Sequence, residues 1–333
     1  MSSSSPTSVL NADVRPGKPP MLRVDATDDA PRWTAEHRDA LRAAVVEHGS
    51  LLVLGLRLRD VAETEAVFRR LGTLMSEKEA FAPRRRYSDG IYSSSKWPPS
   101  QPMCMHHELS YTLDFPGLML FACLVAPADA GATPVADSPT VLRELPAALV
   151  EGFERVGWLL VRNYNDEIGA SVAEAFGTDD RRAVESYCRA NAIKFEWQPD
   201  GGLRTWQRRS AVVRHPLTGQ RCWFNQIAFL NEWTIDPEVR EYLVDVYRED
   251  GLPFNTRFGN GDAIDADVVQ LINEVYEANT AREPWQAGDL MLVDNVRTAH
   301  GRERFEGPRE VLVAMADEVH LADCSPTIEV TAG

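Results

Sequence analysis

The alternation of apolar and polar positions divides the chain into short strand-like runs separated by helical stretches. Trp33, Leu41 and Val45 recur near helical spacing and Gly49 closes the segment, so the pattern predicts a helix over 33–48. Residues 50–56 form a continuous apolar run, as in a buried strand. A second helix is expected from Val61 to about Met75, with Asp60 and Glu63 spaced as a variant capping box. Further strands are expected over 117–126, buried on both faces, and over 133–137. Helical patterns dominate 138–191, broken by a strand-like segment over 156–165. Two β-rich stretches, 203–214 and 220–229, are joined by a turn at 215–219. Helices over 237–248 and 265–278 then precede a last β region at 288–295 and 310–316.

Strands at both ends with helices inserted between them predict one mainly β domain with α insertions, residues 21–330, behind a flexible tail of residues 1–20. The Ser- and Pro-rich stretch Phe81–Gln101 reads as one long loop, a candidate lid. Within it, Arg84, Arg85 and Arg86 read first as a solvated charge run.

Composition narrows the function classes. Of 333 residues, 44% are hydrophobic and 26% charged, as in a folded protein rather than a disordered one. A net charge of −15 repels phosphate backbones, so nucleic acid is not an expected partner. The longest apolar runs fall short of the roughly 20 residues a bilayer span needs, so no membrane association is expected. No basic cluster followed by an apolar stretch marks the start as a secretory signal, and a cytoplasmic location is expected. The five cysteines are odd in number and contain no CxxC pair, which predicts buried reduced thiols rather than a disulfide framework.

The most chemical stretch is Met105-His106-His107-Glu108. On a strand, residues i and i+2 share a face, so His106 and Glu108 point together and His107 points away. An imidazole and a carboxylate supply two of the three ligands of a facial triad, although a histidine satisfied within the core is the commoner meaning of such a triplet. Support lies far downstream. There Gly288-Asp289-Leu290 opens a strand, Asp294-Asn295 ends it, and His300-Gly301-Arg302 and Gly307-Pro308-Arg309 follow. A late histidine would close the metal site, and an arginine is suited to grip a carboxylate through two parallel hydrogen bonds.

This set of motifs resembles the taurine dioxygenase/clavaminate synthase-like family of Fe(II)- and 2-oxoglutarate-dependent oxygenases, over roughly residues 35 to 320. The resemblance implies a double-stranded β-helix (jelly-roll, cupin-like) core flanked by helices, with 2-oxoglutarate and O2 as cosubstrates. It implies His106, Glu108 and His300 as iron ligands. Thr133, in the Gly131-Ala132-Thr133 turn with Asp137 behind it, would meet the distal carboxylate of 2-oxoglutarate. Many relatives carry the partner arginine where this chain has Ala314 and Met315. Arg309 is therefore the expected anchor, with Arg302 and Arg304 as alternatives. Retention of Glu108 argues against a halogenase, which needs a small residue there.

Within the family, the stretch His106–Tyr111 and the Phe224-Asn225-Gln226 segment resemble syringomycin-type enzymes that β-hydroxylate an amino acid held on a peptidyl carrier protein. That resemblance implies substrate contacts from Asn225, Gln226, Trp97 and one of Arg204, Arg208, Arg209 or Arg214, and carrier docking at Arg84, Arg85 and Arg86. Free amino acids or small metabolites are the alternative substrates. A non-catalytic metal-binding β-barrel and a zinc hydrolase with the same three ligands are readings from other classes.

Overall fold

The computed structural model describes residues 10–24, 29–79, 81, 84–95, 97–165 and 167–330. Its centre is an eight-stranded sheet. The strand Asp114–Val125 lies between Leu290–Asp294 and Glu310–His320, antiparallel to both, and Ser50–Leu54 extends the sheet beyond Leu290–Asp294. Facing it is a four-stranded sheet ordered Thr280–Ala281, Val135–Asp137, Thr298–Arg302, Met103–His106. The two sheets form the jelly roll.

Strict alternation explains why these strands read as unbroken apolar runs. Leu118, Leu120, Ala122, Leu290, Leu292, Leu312 and Ala314 face outward against Leu41, Val45, Val67, Phe68 and Leu71 of two helices. Met119, Phe121, Met291, Val293, Val311 and Val313 face inward. Each large side chain buried on either face contributes about 1.5–3 kcal/mol, so both layers are held firmly.

The helices are Ala30–His48 and Val61–Leu71. The first ends at Gly49, whose φ of 82° is the left-handed conformation that glycine adopts without steric cost. The second starts at Asp60, whose carboxylate accepts from Glu63 N–H; the return bond from Glu63 goes to Arg59 N–H instead of Asp60. It stops at Leu71, and the residues expected to prolong it form the short strand Leu74–Met75 on the sheet edge.

Phe81–Gln101 is not one long loop. Arg86–Ser88 and Ile91–Ser93 form a hairpin across Asp89-Gly90, and the second strand pairs with Glu310–His320. Residues 1–9 of the expected tail lie outside the described residues. Residues 10–20 fold back, with Asp13 and Met21 exchanging backbone hydrogen bonds and Leu10 and Ala12 packing on the outer core.

The central insertion makes a separate sheet ordered Lys194–Trp197, Leu203–Arg209, Trp158–Tyr164, Phe254–Phe258. All five cysteines are free, and burial raises every one of their thiol pKa values. Among the described residues no helix is long and apolar enough to cross a membrane.

Candidate metal centre and cosubstrate cavity

Antiparallel pairing of Met103–His106 with Thr298–Arg302 sets His300 directly opposite His106. A break in register follows, and Gly301 makes the close approach possible: a Cβ there would lie 2.7 Å from Met103 O. Glu108 is reached differently from the strand parity expected of it. The strand ends at His106, and residues 108–111 form a turn in which Leu109 takes a φ of 53°. Asn295 fixes that turn. Its Oδ1 accepts from Glu108 N–H at 2.8 Å, and its Nδ2 donates to Glu108 O at 3.0 Å and to Pro116 O at 2.8 Å.

The outcome is one cluster of three buried groups, with one ligand atom from each of His106, Glu108 and His300 inside a 4.8 Å span. Glu108 Oε2 lies 4.0 Å from His106 Nε2 and 3.7 Å from His300 Nε2. His106 Nδ1 sits 2.8 Å from Cys104 O and donates to it, which turns the Nε2 lone pair toward the cluster. Burial holds His106 neutral, its pKa lowered to about 3. Burial opposes ionisation of Glu108, yet Arg84 and the two imidazoles keep its pKa below the carboxylate range. Neutral imidazoles and an ionised carboxylate are the metal-binding forms, and two nitrogens with one oxygen suit a divalent first-row metal.

His107 points away. Its Nδ1 lies 2.5 Å from Asn295 O and its Nε2 2.8 Å from Ser138 Oγ, both buried. His107→Ala is therefore expected to cost about 2–5 kcal/mol of stability in a urea titration, with metal stoichiometry unchanged. Loss of metal would transfer the ligand role to this residue.

A cavity adjoins the cluster and is lined by Thr133, Ser94, Arg302 and Arg309. Arg309 enters from the start of the strand Glu310–His320 and shares the inward face of Val311 and Val313. Its Nε donates to Gly131 O at 3.0 Å and one terminal nitrogen to Ser94 Oγ at 3.3 Å. Burial lowers its pKa to about 10, which leaves it cationic at neutral pH. Thr133 Oγ1 accepts from Trp285 Nε1 at 3.2 Å. Arg302 also lines the cavity, but its terminal nitrogens are given to the carbonyls of Trp97, Pro98 and Gln101. Arg304 is exposed and faces a different opening beside Arg282 and Glu303. Asp137 caps the helix Ser138–Glu144 and pairs with Arg297.

A second, smaller chamber reaches the same His106 and Glu108 from a side lined by Glu77, Phe81, Gln226 and Phe229. Phe229 stacks on the His106 ring with centroids 4.5 Å apart. Gln226 Nε2 donates to His107 O. Asn225 is absorbed by backbone, donating to Ala211 O and accepting from Ile227 N–H. Trp97 lies one layer out, 5.8 Å from Phe229 and 6.4 Å from Phe81, centroid to centroid.

Arg204 and Arg208 do not reach either cavity. Alternation along Leu203–Arg209 buries Leu203, Thr205, Gln207 and Arg209 and turns Arg204 and Arg208 to the opposite face, where they bind Asn163, Asp250 O and Val156 O. Arg209 is spent on the carbonyls of Asn191, Ala192 and Arg208, and Arg214 on Gly219 O.

The Arg84-Arg85-Arg86 run also divides. Arg84 is buried and donates to Glu108 Oε1 at 3.0 Å, with Glu77 Oε1 at 3.5 Å from its Nε. It therefore forms no part of a docking surface. Arg85 and Arg86 stay exposed, Arg85 over the Tyr87 ring and Arg86 paired with Asp89.

Residues 13–315 match the family described as taurine catabolism dioxygenase TauD, TfdA family, and the chain belongs to it. It is accordingly a non-haem iron dioxygenase whose cosubstrates are 2-oxoglutarate and O2. The dapdiamide synthesis protein DdaC of Enterobacter agglomerans is 34% identical over 279 residues, covering 82% of this chain and 84% of that protein. A clavaminate synthase-like protein of Arabidopsis thaliana is 28% identical over 245 residues, 70% of this chain and 71% of its own length. In fold, the chain is similar to PvcB, described as an Fe, alpha-ketoglutarate dependent oxygenase from an isonitrile synthetic pathway. The TM-score is 0.52 at 15% identity, over 92% of this chain and 89% of PvcB. The structure of AAD-2 with Mn(II) and N-oxalylglycine gives the same TM-score at 14% identity, over 95% of this chain and 97% of that one.

Proposed function

We propose that His106, Glu108 and His300 hold the ferrous ion, and that the enzyme hydroxylates an unactivated carbon, the β carbon, of an amino acid tethered to a peptidyl carrier protein. The observation that carries this reading is the convergence of the three ligand atoms where the two cavities meet. When bound, iron with 2-oxoglutarate and O2 supplies the oxidising power for C–H hydroxylation, coupled to decarboxylation of the cosubstrate to succinate.

The protein's own groups prepare that chemistry. Cys104 O fixes the tautomer of His106, and Arg84 occupies one oxygen of Glu108 so that the other faces the imidazoles. Arg309 and Thr133 grip the distal carboxylate of 2-oxoglutarate in the larger cavity. Arg302 ties down three carbonyls of the 97–101 segment beside the cavity and limits entry of water there.

Two features support the carrier-bound substrate. In the smaller chamber Arg84 is already neutralised by two carboxylates, so the described residues offer no spare cation for a free amino acid's carboxylate. The chain also shares 34% identity with a biosynthetic protein, DdaC. Arg85 and Arg86 remain exposed for the acidic face of a carrier. The free thiols fit the reducing conditions of the cytoplasm.

The test is to incubate the iron(II) enzyme with 2-oxoglutarate, O2 and a panel of aminoacyl carrier proteins, following mass. One member should gain a single oxygen with stoichiometric succinate. Oxygen gain on free amino acids alone would overturn the carrier-bound reading, and no oxygen uptake with any substrate would overturn the proposed hydroxylation.

A further inference from the structure

The smaller chamber holds one carboxylate that the chemistry so far uses only as a counter-charge to Arg84. Glu77 extends a side chain only 9% exposed into it. Its backbone N–H donates to Tyr92 Oη at 3.0 Å, which holds the main chain in place at this residue. Yet its carboxylate accepts no hydrogen bond from the described residues, and its one ion-pair partner among them is Arg84 Nε at 3.5 Å. That guanidinium makes its short contact elsewhere, 3.0 Å from Glu108 Oε1.

The neighbouring polar atoms have matching needs. Gln226 spends its Nε2 on His107 O, which leaves its amide oxygen without a donor among the described residues. Ser95 Oγ, on the same wall, is buried with no partner. The carboxylate and the amide oxygen can only accept and the hydroxyl can accept as well, while the charged donors on that lining belong to Arg84, whose short contact goes to Glu108. Leaving such groups unpaired is unfavourable, and a ligand that supplies donors to them removes that cost.

The charge count points the same way. Of the charged side chains that line the chamber, two are carboxylates, Glu77 and Glu108, and one is the guanidinium of Arg84, with Arg162 near enough to act on Glu77 electrostatically. Phe81 and Phe229 add aromatic surface, which favours a cation over an anion.

We infer that the smaller chamber binds the protonated amine of the substrate and that Glu77 is the specificity-determining residue that anchors it. An ammonium group offers three N–H donors and one positive charge, which meets the unsatisfied acceptors and the Glu77 carboxylate together. It enters on a side not lined by Thr133, Arg302 or Arg309, so amine and 2-oxoglutarate do not compete. This inference rests on the amino-acid reading above but not on the carrier.

The experiment uses the anaerobic enzyme loaded with iron(II) and 2-oxoglutarate, following shifts of the weak visible band of the chelate. The probes are S-aminoacyl pantetheine thioesters, their N-acetyl counterparts and the free amino acids. At least one probe with a free amine should shift the band, and its N-acetyl form should bind about 100-fold more weakly or not at all. Glu77→Gln should weaken the amine probe at least tenfold and raise KM more than it lowers kcat, and Glu77→Asp should recover part of the loss. Equal binding of acetylated and free amines, or unchanged affinity in Glu77→Gln, would overturn the inference, as would failure of every amine to shift the band. If free amino acids shift the band through Glu77 and thioesters do not, the amine anchor stands and the carrier-bound reading falls.

Discussion

Glu108→Ala is expected to abolish succinate formation and to weaken iron(II) binding by more than about 100-fold. Loss of a group that merely orients a metal ligand typically costs 10–100-fold in affinity, and in the proposed site Glu108 supplies a donor atom itself, its Oε2 3.7 Å from His300 Nε2. The same substitution deprives the buried Arg84 of its nearer carboxylate and leaves it Glu77 alone. Breaking a buried pair from one side costs up to about 3–5 kcal/mol, so the alanine variant will also melt earlier. Glu108→Gln separates the two effects. The amide oxygen still accepts from Arg84, so folding should hold while the negative charge at the metal is gone. Equilibrium dialysis of iron(II), with a thermal melt on the same sample, makes the comparison. A glutamine variant that binds iron like the parent would remove Glu108 from the ligand set.

What was legible in the sequence is the part governed by repeating local rules. The 117–126 run read as a strand buried on both faces because helices cover one side and the cavity walls the other. That His106, Glu108 and His300 come together was legible from the motifs that carry them. The route by which Glu108 arrives was not. Strand parity predicts the correct direction for the wrong reason, because the strand stops at His106 and Asn295 carries the turn. In the sequence Asn295 marks only the end of a strand, and nothing in its neighbourhood announces a contact with Glu108 so far back along the chain.

The Arg84–Arg86 run shows the same limit. Three identical side chains have identical local preferences, and burial of one is decided by the hairpin across Asp89-Gly90 and by the carboxylates awaiting it. That Asp-Gly pair, between Tyr87 and Ile91, was the missed signal for the hairpin. Arg204 and Arg208 failed as substrate contacts because alternation on an inserted sheet sends them outward, and only the pairing of that sheet defines which face is inward.

Arg309→Ala is expected to raise the Kd for 2-oxoglutarate by about 30-fold or more while iron binding stays within a few-fold of the parent. Removing one partner of a buried, hydrogen-bonded charge pair costs about 2–5 kcal/mol, and each 1.4 kcal/mol is a factor of ten. The choice of Arg309 over its neighbours is geometric. Arg302 has both terminal nitrogens committed to backbone carbonyls, and Arg304 faces another opening. Arg309 has a terminal nitrogen without a hydrogen bond among the described residues, and its bond to Gly131 O holds it beside Thr133. Arg309→Lys should recover little, because a point charge replaces the planar fork that pairs with both carboxylate oxygens. Anaerobic titration of 2-oxoglutarate into the iron(II) enzyme, read at the visible band, measures the Kd directly. An unchanged value in Arg309→Ala would pass the anchoring role to Arg302. In that case Arg302→Ala would weaken 2-oxoglutarate and loosen the 97–101 segment together, and faster proteolysis there would be the second sign.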